Sequence, residues 1–243
     1  MSENLEDTRT DAAPAPEAPR SPAHAPRAPR RRRGLVAAGV IVAVLAVAGA
    51  GMWAWHETPA FCGAICHAPM DAYLDTYDNG TTDKFGNALD DTARTSMLSY
   101  AHKGYDHTTC LDCHVPVLDQ QISEGMEWVS GTYAVIPRDD GMNYLRSRTL
   151  AELTEASGVD EEAFCLNESC HPATPDREAL AKWTECFGSP YNPHLTRHGE
   201  VDCGTCHKGH SQSVNYCTEC HPSAPVPEGW LTMAQAREMG IVE

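Results

Sequence analysis

YNPHLTRHGEVDCGTCHKGHSQSVNYCTECH, Tyr191 to His221, carries four cysteines and five histidines in 31 residues. The cysteines fall in two pairs, Cys203 with Cys206 and Cys217 with Cys220. In each pair two residues separate the thiols, and a histidine follows the second one at once: His207 and His221. This Cys-x-x-Cys-His arrangement is the signature of covalent c-type haem attachment. Two thiols bond the porphyrin vinyl groups, and the adjacent histidine ligates the iron.

Three more such sites lie upstream. Cys110, Cys113 and His114 form a third standard motif. Cys62, Cys66 and His67 form a motif with three intervening residues, and Cys165, Cys170 and His171 one with four. A longer loop between the thiols still straddles one porphyrin edge. Only 12 of 243 residues are histidine, so five successive chance placements have a probability on the order of a few in ten million. The alternatives for paired cysteines are disulfides and zinc. An extracellular disulfide framework needs no histidine after every second cysteine, and zinc ribbons pair Cys-x-x-Cys with another such pair or with spaced histidines. Of the 11 cysteines, the motifs use ten and leave Cys186. On a helix expected over 175–187 it should pack as a small apolar residue.

The composition agrees with a haem-filled interior. Only four Phe occur in the chain, which makes a thin conventional core, and five porphyrins would supply the missing apolar bulk. The expected fold class is mostly α with long loops, a haem-organised multihaem cytochrome c with one N-terminal transmembrane helix. The net charge is −16; residues 1–33 hold seven Arg and five acids, a net +2, which leaves −18 for the remainder. So acidic a surface argues against nucleic-acid binding. It suits a partner with a basic docking patch, or simply solubility.

Residues 1–33 read as a disordered cytoplasmic tail, rich in Ala and Pro, ending in Arg30 to Arg33. His24 lies in it and is discounted as a ligand. Gly34 to Trp55 follows without a charge, long enough to cross a hydrocarbon core. Trp53 and Trp55 mark its far end and the arginines its near end, which predicts a single-pass anchor with the amino terminus inside. Residues 56–243 then form an extracytoplasmic pentahaem domain on the outer face. The alternative is a cleaved signal peptide, with Ala46-Val47-Ala48 resembling a processing site. Further helices are expected at Leu118–Val129, from the Thr149/Glu152 capping box to Gly158, from Thr174-Pro175 to Gly188, and from Thr232/Gln235 to Gly240. Residues 71–100 read as polar loop, with Tyr73, Leu74 and Tyr77 able to form one helical turn. No strand is expected, and residues 130–165 read as a connection between two haem clusters.

Five irons need five proximal histidines, His67, His114, His171, His207 and His221, and low-spin haems need a second axial ligand. Six other histidines lie outside the tail: His56, His102, His107, His194, His198 and His210. Met70 is a seventh candidate.

The stretch Tyr191 to His221 resembles the tetrahaem cytochrome domain of soluble flavocytochrome fumarate reductases, which has two close histidines, then Cys-x-x-Cys-His-x-x-His, then a last Cys-x-x-Cys-His. The resemblance implies His194, His198 and His210 as distal ligands to the haems of His171, His207 and His221, in that order. The first half resembles the NapC/NirT-type membrane cytochromes, quinol dehydrogenases that feed periplasmic reductases: one anchor, a haem motif just beyond it, then Thr108 to Pro116 and an amphipathic helix. That family has a Met two residues after its first motif; here Met70 follows His67 by three. Asp71 is the candidate acid near the quinol, while no lysine lies between residues 104 and 181, so that feature does not carry over.

Together these readings imply a membrane-anchored cytochrome that takes electrons from membrane quinol, menaquinol first among them, and passes them through five haems c to a separate extracytoplasmic reductase, a flavoprotein of the fumarate reductase type. It would be an electron carrier with quinol dehydrogenase activity. The alternative acceptor is a cytochrome c nitrite reductase or a periplasmic nitrate reductase, with this chain as the small electron-donor subunit. In a third reading one haem is left five-coordinate and binds substrate itself.

Overall fold

The computed structural model describes residues 30–65, 67–106, 108–187 and 191–242. His24, Cys66, His107 and Gly188 lie outside these residues, as does most of the 1–33 tail. Two compact units, Met1–Ala48 and Gly49–Glu243, divide the chain.

Helix α1 runs from Arg30 to His56, 27 residues. Its apolar stretch has no polar face, and residues 32–55 are all exposed. A helix that is hydrophobic all round and has no protein cover satisfies its backbone internally and leaves its side chains to an apolar solvent. Arg32–His56 is long and apolar enough to cross a membrane. The helix starts earlier than the uncharged stretch alone suggests, because Arg is a good helix former and the arginines supply its first turn.

In the second unit the structure is helical with long loops. Helices α2 (Pro59–Ile65) and α3 (His67–Asp78) hold the first motif. Three turns form where the sequence suggested one: Ala72 and Thr76, four residues apart, are fully buried on one face of α3. Gly80 ends the helix at φ 59°, and a Cβ there would stand 2.7 Å from the Tyr100 ring. Glycine alone fits that approach. A 3₁₀ turn, Ala93–Ser96, leads into α4 (Leu98–Asp106), which brings His102 inward. The second motif is α5 (Cys110–Cys113), followed by α6 (Leu118–Ser130), which Gly131 closes in the left-handed conformation.

The segment expected to be a plain connection contains a short antiparallel hairpin, β1 (Val135–Pro137) with β2 (Asn143–Leu145). The β2 strand packs on α3, where Tyr73 Oη donates to the Leu145 carbonyl at 2.5 Å. The capping box of Thr149 and Glu152 opens α7 (Leu150–Ser157), and Gly158 closes it at φ 71°, as the sequence indicates. Asp160 caps α8 (Glu161–Cys165). Helix α9 spans Arg177–Trp183, not Thr174 to Gly188: Asp176, whose carboxylate accepts from Ala179 N, outcompetes Thr174-Pro175 as the cap. Charged carboxylates at this position also gain from the helix dipole. The fourth motif is α10 (Cys203–Cys206), and Tyr216–Glu219 of the last is 3₁₀. Two-residue strands β3 (Val214–Asn215) and β4 (Leu231–Thr232) pair in parallel. Thr232 and Gln235 form the expected capping box on α11 (Met233–Glu238).

Val214, Leu231, Met233 and Ala236 form the small buried core, with Met239, Ile241 and Val242 against it. Residues 208–213 are stitched to the first half of the unit. Lys84 N donates to the His210 carbonyl (2.9 Å), Leu98 N to Lys208 O (2.9 Å) and Ser99 N to Gly209 O (2.9 Å). Ser213 Oγ donates to Ser96 O at 2.5 Å. Cys186 is exposed on a 3₁₀ turn, Glu185–Phe187, rather than packed on a helix, because α9 stops at Trp183, itself 68% exposed.

Candidate functional site

Each Cys-x-x-Cys-His motif closes one tight turn. The histidine backbone N–H returns to the carbonyl four residues back: His114 to Cys110 (2.8 Å), His207 to Cys203 (2.8 Å) and His221 to Cys217 (2.9 Å). His171 makes the same bond to Asn167 (2.8 Å). The turn is therefore kept in the stretched motif. Asn167 takes the backbone position that the first cysteine has elsewhere, and Cys165 stands two residues earlier at the end of α8. In the first motif Cys62 lies on α2, and His67 is the first residue of α3.

The distal candidates come from separate elements, and four of them face motif histidines. His114 and His210 stack with ring centres 6.2 Å apart, His194 and His207 at 6.3 Å, and His198 and His221 at 6.2 Å. His102 meets His171 at 6.1 Å with the planes crossed at 86°. Two stacked aromatic rings in contact would lie closer. A metal–imidazole bond of about 2.0 Å and roughly 1.1 Å from that nitrogen to its ring centre, taken on both sides, give about 6.2 Å. All four gaps therefore have the width that one iron between two imidazoles requires, and the donor set fits the group.

Hydrogen bonds orient three of the four partner rings. His102 Nδ1 donates to the Leu98 carbonyl at 2.9 Å. His210 Nδ1 lies 2.8 Å from Thr76 Oγ1, whose own proton goes to the Tyr73 carbonyl at 2.6 Å. The threonine oxygen therefore accepts from the imidazole. His194 Nδ1 lies 3.0 Å from Thr184 Oγ1, which donates to Leu180 O at 2.8 Å. In each case the proton is held on Nδ1, and Nε2 keeps its lone pair for a metal. Burial reinforces this. It lowers His210 to about 3 and His207 to about 4, with His194 the first neighbour acting on His207, and it lowers His114 and His194 as well. These imidazoles are neutral at physiological pH. The threonines gave no signal in the sequence, since a hydroxyl in the last turn of a helix or just past it, as at Thr76 and Thr184, reads as ordinary polar surface.

The pairs differ from the order that the resemblance implied. His194 faces His207 rather than His171, His198 faces His221 rather than His207, and His210 faces His114 rather than His221. The docking of residues 208–213 onto residues 84 and 96–99 carries His210 out of its own cluster. His171 is completed instead by His102 from α4. His56, at the end of α1, faces no histidine among the described residues. Its Nε2 lies 3.3 Å from Gln121 Nε2 of α6 and its ring 5.0 Å from that of Phe61. Met70 is half-buried on α3.

The thiols of successive motifs are neighbours. Burial first, then the Cys62 thiol, pushes Cys110 up to about 11. Burial, Asp112 and the thiols of Cys165 and Cys170 push Cys113 up to about 11. The Cys203 thiol hydrogen-bonds to Cys165 and is raised by it. Cys206 is raised by burial and feels Cys217. Each motif thus lies within electrostatic reach of the next one in sequence order, and Cys165 and Cys203 meet directly.

Thiol pairs beside histidines, and paired imidazoles at an iron-sized gap, define a multihaem c-type cytochrome, a class that transfers electrons. The cytochrome c3 family model matches residues 151–222. The cytochrome c-type protein Cgr1 of Eggerthella lenta is 50% identical over 214 residues, covering 86% of this chain and 92% of that protein. The chain belongs to the family of this cytochrome. A probable fumarate reductase of Shewanella frigidimarina, Ifc3, is 45% identical over 65 residues, 27% of this chain and 10% of that protein. No solved structure matches.

Proposed function

We propose that this cytochrome is a membrane-anchored electron carrier that holds five haems c, oxidises membrane quinol, menaquinol in the first place, and reduces a separate extracytoplasmic flavoprotein reductase. The observation that carries it is the set of four histidine pairs at 6.1–6.3 Å. Haem c supplies one-electron oxidation and reduction at its iron. The chain's own residues hold, orient and order the sites. Cys110/Cys113, Cys165/Cys170, Cys203/Cys206 and Cys217/Cys220 attach four porphyrins, with His114, His171, His207 and His221 as proximal ligands. His210, His102, His194 and His198 take the opposite faces, in that order. Cys62, Cys66 and His67 hold the fifth, its distal ligand drawn from His56, His107 and Met70.

A histidine from each side would leave no open position on a haem held at these four sites, which favours transfer over substrate chemistry. The nearness of each motif's thiols to the next supports a row running from the anchor to the carboxyl-terminal cluster. At the anchor end, α6 turns Leu118, Ile122, Met126 and Val129 outward, each 59–74% exposed. Gln121 of the same helix meets His56, the last residue of α1. An apolar stripe beside the end of a membrane helix suits a lipid-borne reductant. Asp71, exposed on α3, is placed to take a proton from the quinol. The similarity to a fumarate reductase supports a flavoprotein acceptor.

The test is reduction of the full chain in vesicles by a menaquinol analogue, beside a chain lacking residues 1–55. The full chain should be reduced by quinol, and the shortened chain by dithionite alone. Quinol reduction of the shortened chain would remove the anchor end as the point of entry.

A further inference from the structure

Among the described residues, the second unit holds two cations whose partners are incomplete: Lys84 has no carboxylate beside it, and Arg138 keeps a buried nitrogen without an acceptor. Arg138 has a side chain 3% exposed. Its Nη2 meets Asp140 at 2.6 Å and its Nη1 the Lys84 carbonyl at 3.5 Å, but its Nε is buried with no hydrogen-bond partner. Gly86, at φ 95°, makes room for the guanidinium: a Cβ there would stand 2.8 Å from Nη2. Lys84 is half-buried, its ammonium 4.7 Å from the Phe85 ring centre and hydrogen-bonded to Ser147 Oγ. No carboxylate lies within ion-pair distance of it among the described residues. The neighbouring Asp83 is fully buried, and its oxygens are taken by Phe85 N, Asn87 N and Asn87 Nδ2, each at 2.9 Å.

Lys84 stands beside one haem site, and Arg138 is joined to it through the Lys84 carbonyl. Lys84 N donates to the His210 carbonyl at 2.9 Å. The Ser147 hydroxyl that takes the Lys84 ammonium lies 3.1 Å from Tyr73 Oη, and the Tyr73 ring meets His210 edge-on at 4.9 Å. Uncompensated charge is costly to bury, so an arrangement like this one calls for an anion. The haem expected between His114 and His210 brings two propionate carboxylates. An arginine fork with a spare donor suits a carboxylate, and a lysine adds a compact charge.

We propose that Lys84 and Arg138 form the propionate-binding pocket of the haem clasped by His114 and His210, and that their charge raises the reduction potential of this haem. The inference rests on the ligation reading above. Neutralised propionates stabilise a ferric iron less than free ones do, so the cations favour the reduced state. Lys84 and Arg138 are positioning residues here and do not touch the iron.

The experiment is a spectroelectrochemical titration of the full chain with its haem count verified by mass. His210→Met marks the wave of this haem by moving it to more positive potential. Lys84→Met and Arg138→Met should each move that same wave negative and leave the other four in place. Lys84→Arg should restore it, and Ser147→Ala, which removes only the hydroxyl partner, should not move it. Should Lys84→Met or Arg138→Met fail to mature, Lys84→Gln and Arg138→Gln at full haem count give the same reading. If the marked wave stands still in the charge variants, the pocket is wrong. If His210→Met marks no wave, the ligation reading fails, whatever the charge variants do.

Discussion

His102, His194 and His210 each depend on an acceptor one bond away, and these acceptors set what the imidazole can do. A carbonyl at Leu98 serves the first, and threonine hydroxyls serve the others. Such partners typically govern metal affinity by about 10- to 100-fold when removed. Thr76→Val keeps the volume and deletes the acceptor, so the bond from His210 to iron should weaken by about that factor. Competition by added imidazole or cyanide measures it, and Thr184→Val offers the parallel case at His194. Unchanged competition in both would mean that the hydroxyls only fill space. At this scale the histidines themselves were legible: eight of the named candidates meet in four pairs. Their partners were not, because pairing follows from long-range docking. Nothing in the sequence around Met97 or Lys208 announces that these residues bridge, yet that contact decides which motif histidine His210 faces.

The elements differ in how far the sequence reveals them. Capping boxes at Thr149 and Thr232 and the glycines after α7 and α11 are local signals and were readable as such. Helices α3 and α4 were not, since many of their residues are polar: Ala72 and Thr76 are buried on α3, and none of the described residues of α4 is fully buried. The hairpin of β1 and β2 is likewise stabilised by its packing on α3 rather than by its own turn. Two predictions belong here. Gly229 sits at φ 78°, where a Cβ would collide with the Thr92 backbone carbonyl. Gly229→Ala should therefore cost about 1–3 kcal/mol through strain and displacement, seen as a lower Tm at full haem content. The second concerns ring planes. Helix α4 sets His102 across His171 at 86°, while the other three pairs lie within 11–29° of parallel. Crossed axial planes leave the iron orbitals near-degenerate. The ferric protein should give one strongly anisotropic low-spin EPR signal with a large principal g value, besides ordinary rhombic ones. His102→Met should abolish the anisotropic signal alone.

Across the second unit, on the proposed ligation, the two halves exchange ligands. The α4 segment, ahead of the second motif, completes the site of His171, and the segment after the fourth motif completes the site of His114. On the proposed ligation each half leaves one iron to a histidine of the other, so the contact between them is part of two of the four metal sites. This exchange places the second and third motifs back to back, in agreement with the closeness of Cys113 to Cys165 and Cys170. A sequence family model confined to residues 151–222 ends within the carboxyl-terminal half, and neither His102 nor the His114 partner of His210 falls inside it. His102→Ala thus tests the exchange across the molecule. The haem on Cys165 and Cys170 should remain attached, since its thioethers and His171 are untouched, and intact mass should still report five haems. Its iron should turn high-spin and bind carbon monoxide when reduced, which a six-coordinate site resists. Quinol-driven reduction should then stop short of the carboxyl-terminal cluster, whereas dithionite still reduces it. Normal quinol-driven reduction of all five haems in this variant would show that electrons bypass the third site and that the row suggested by the neighbouring thiols is not the path they take.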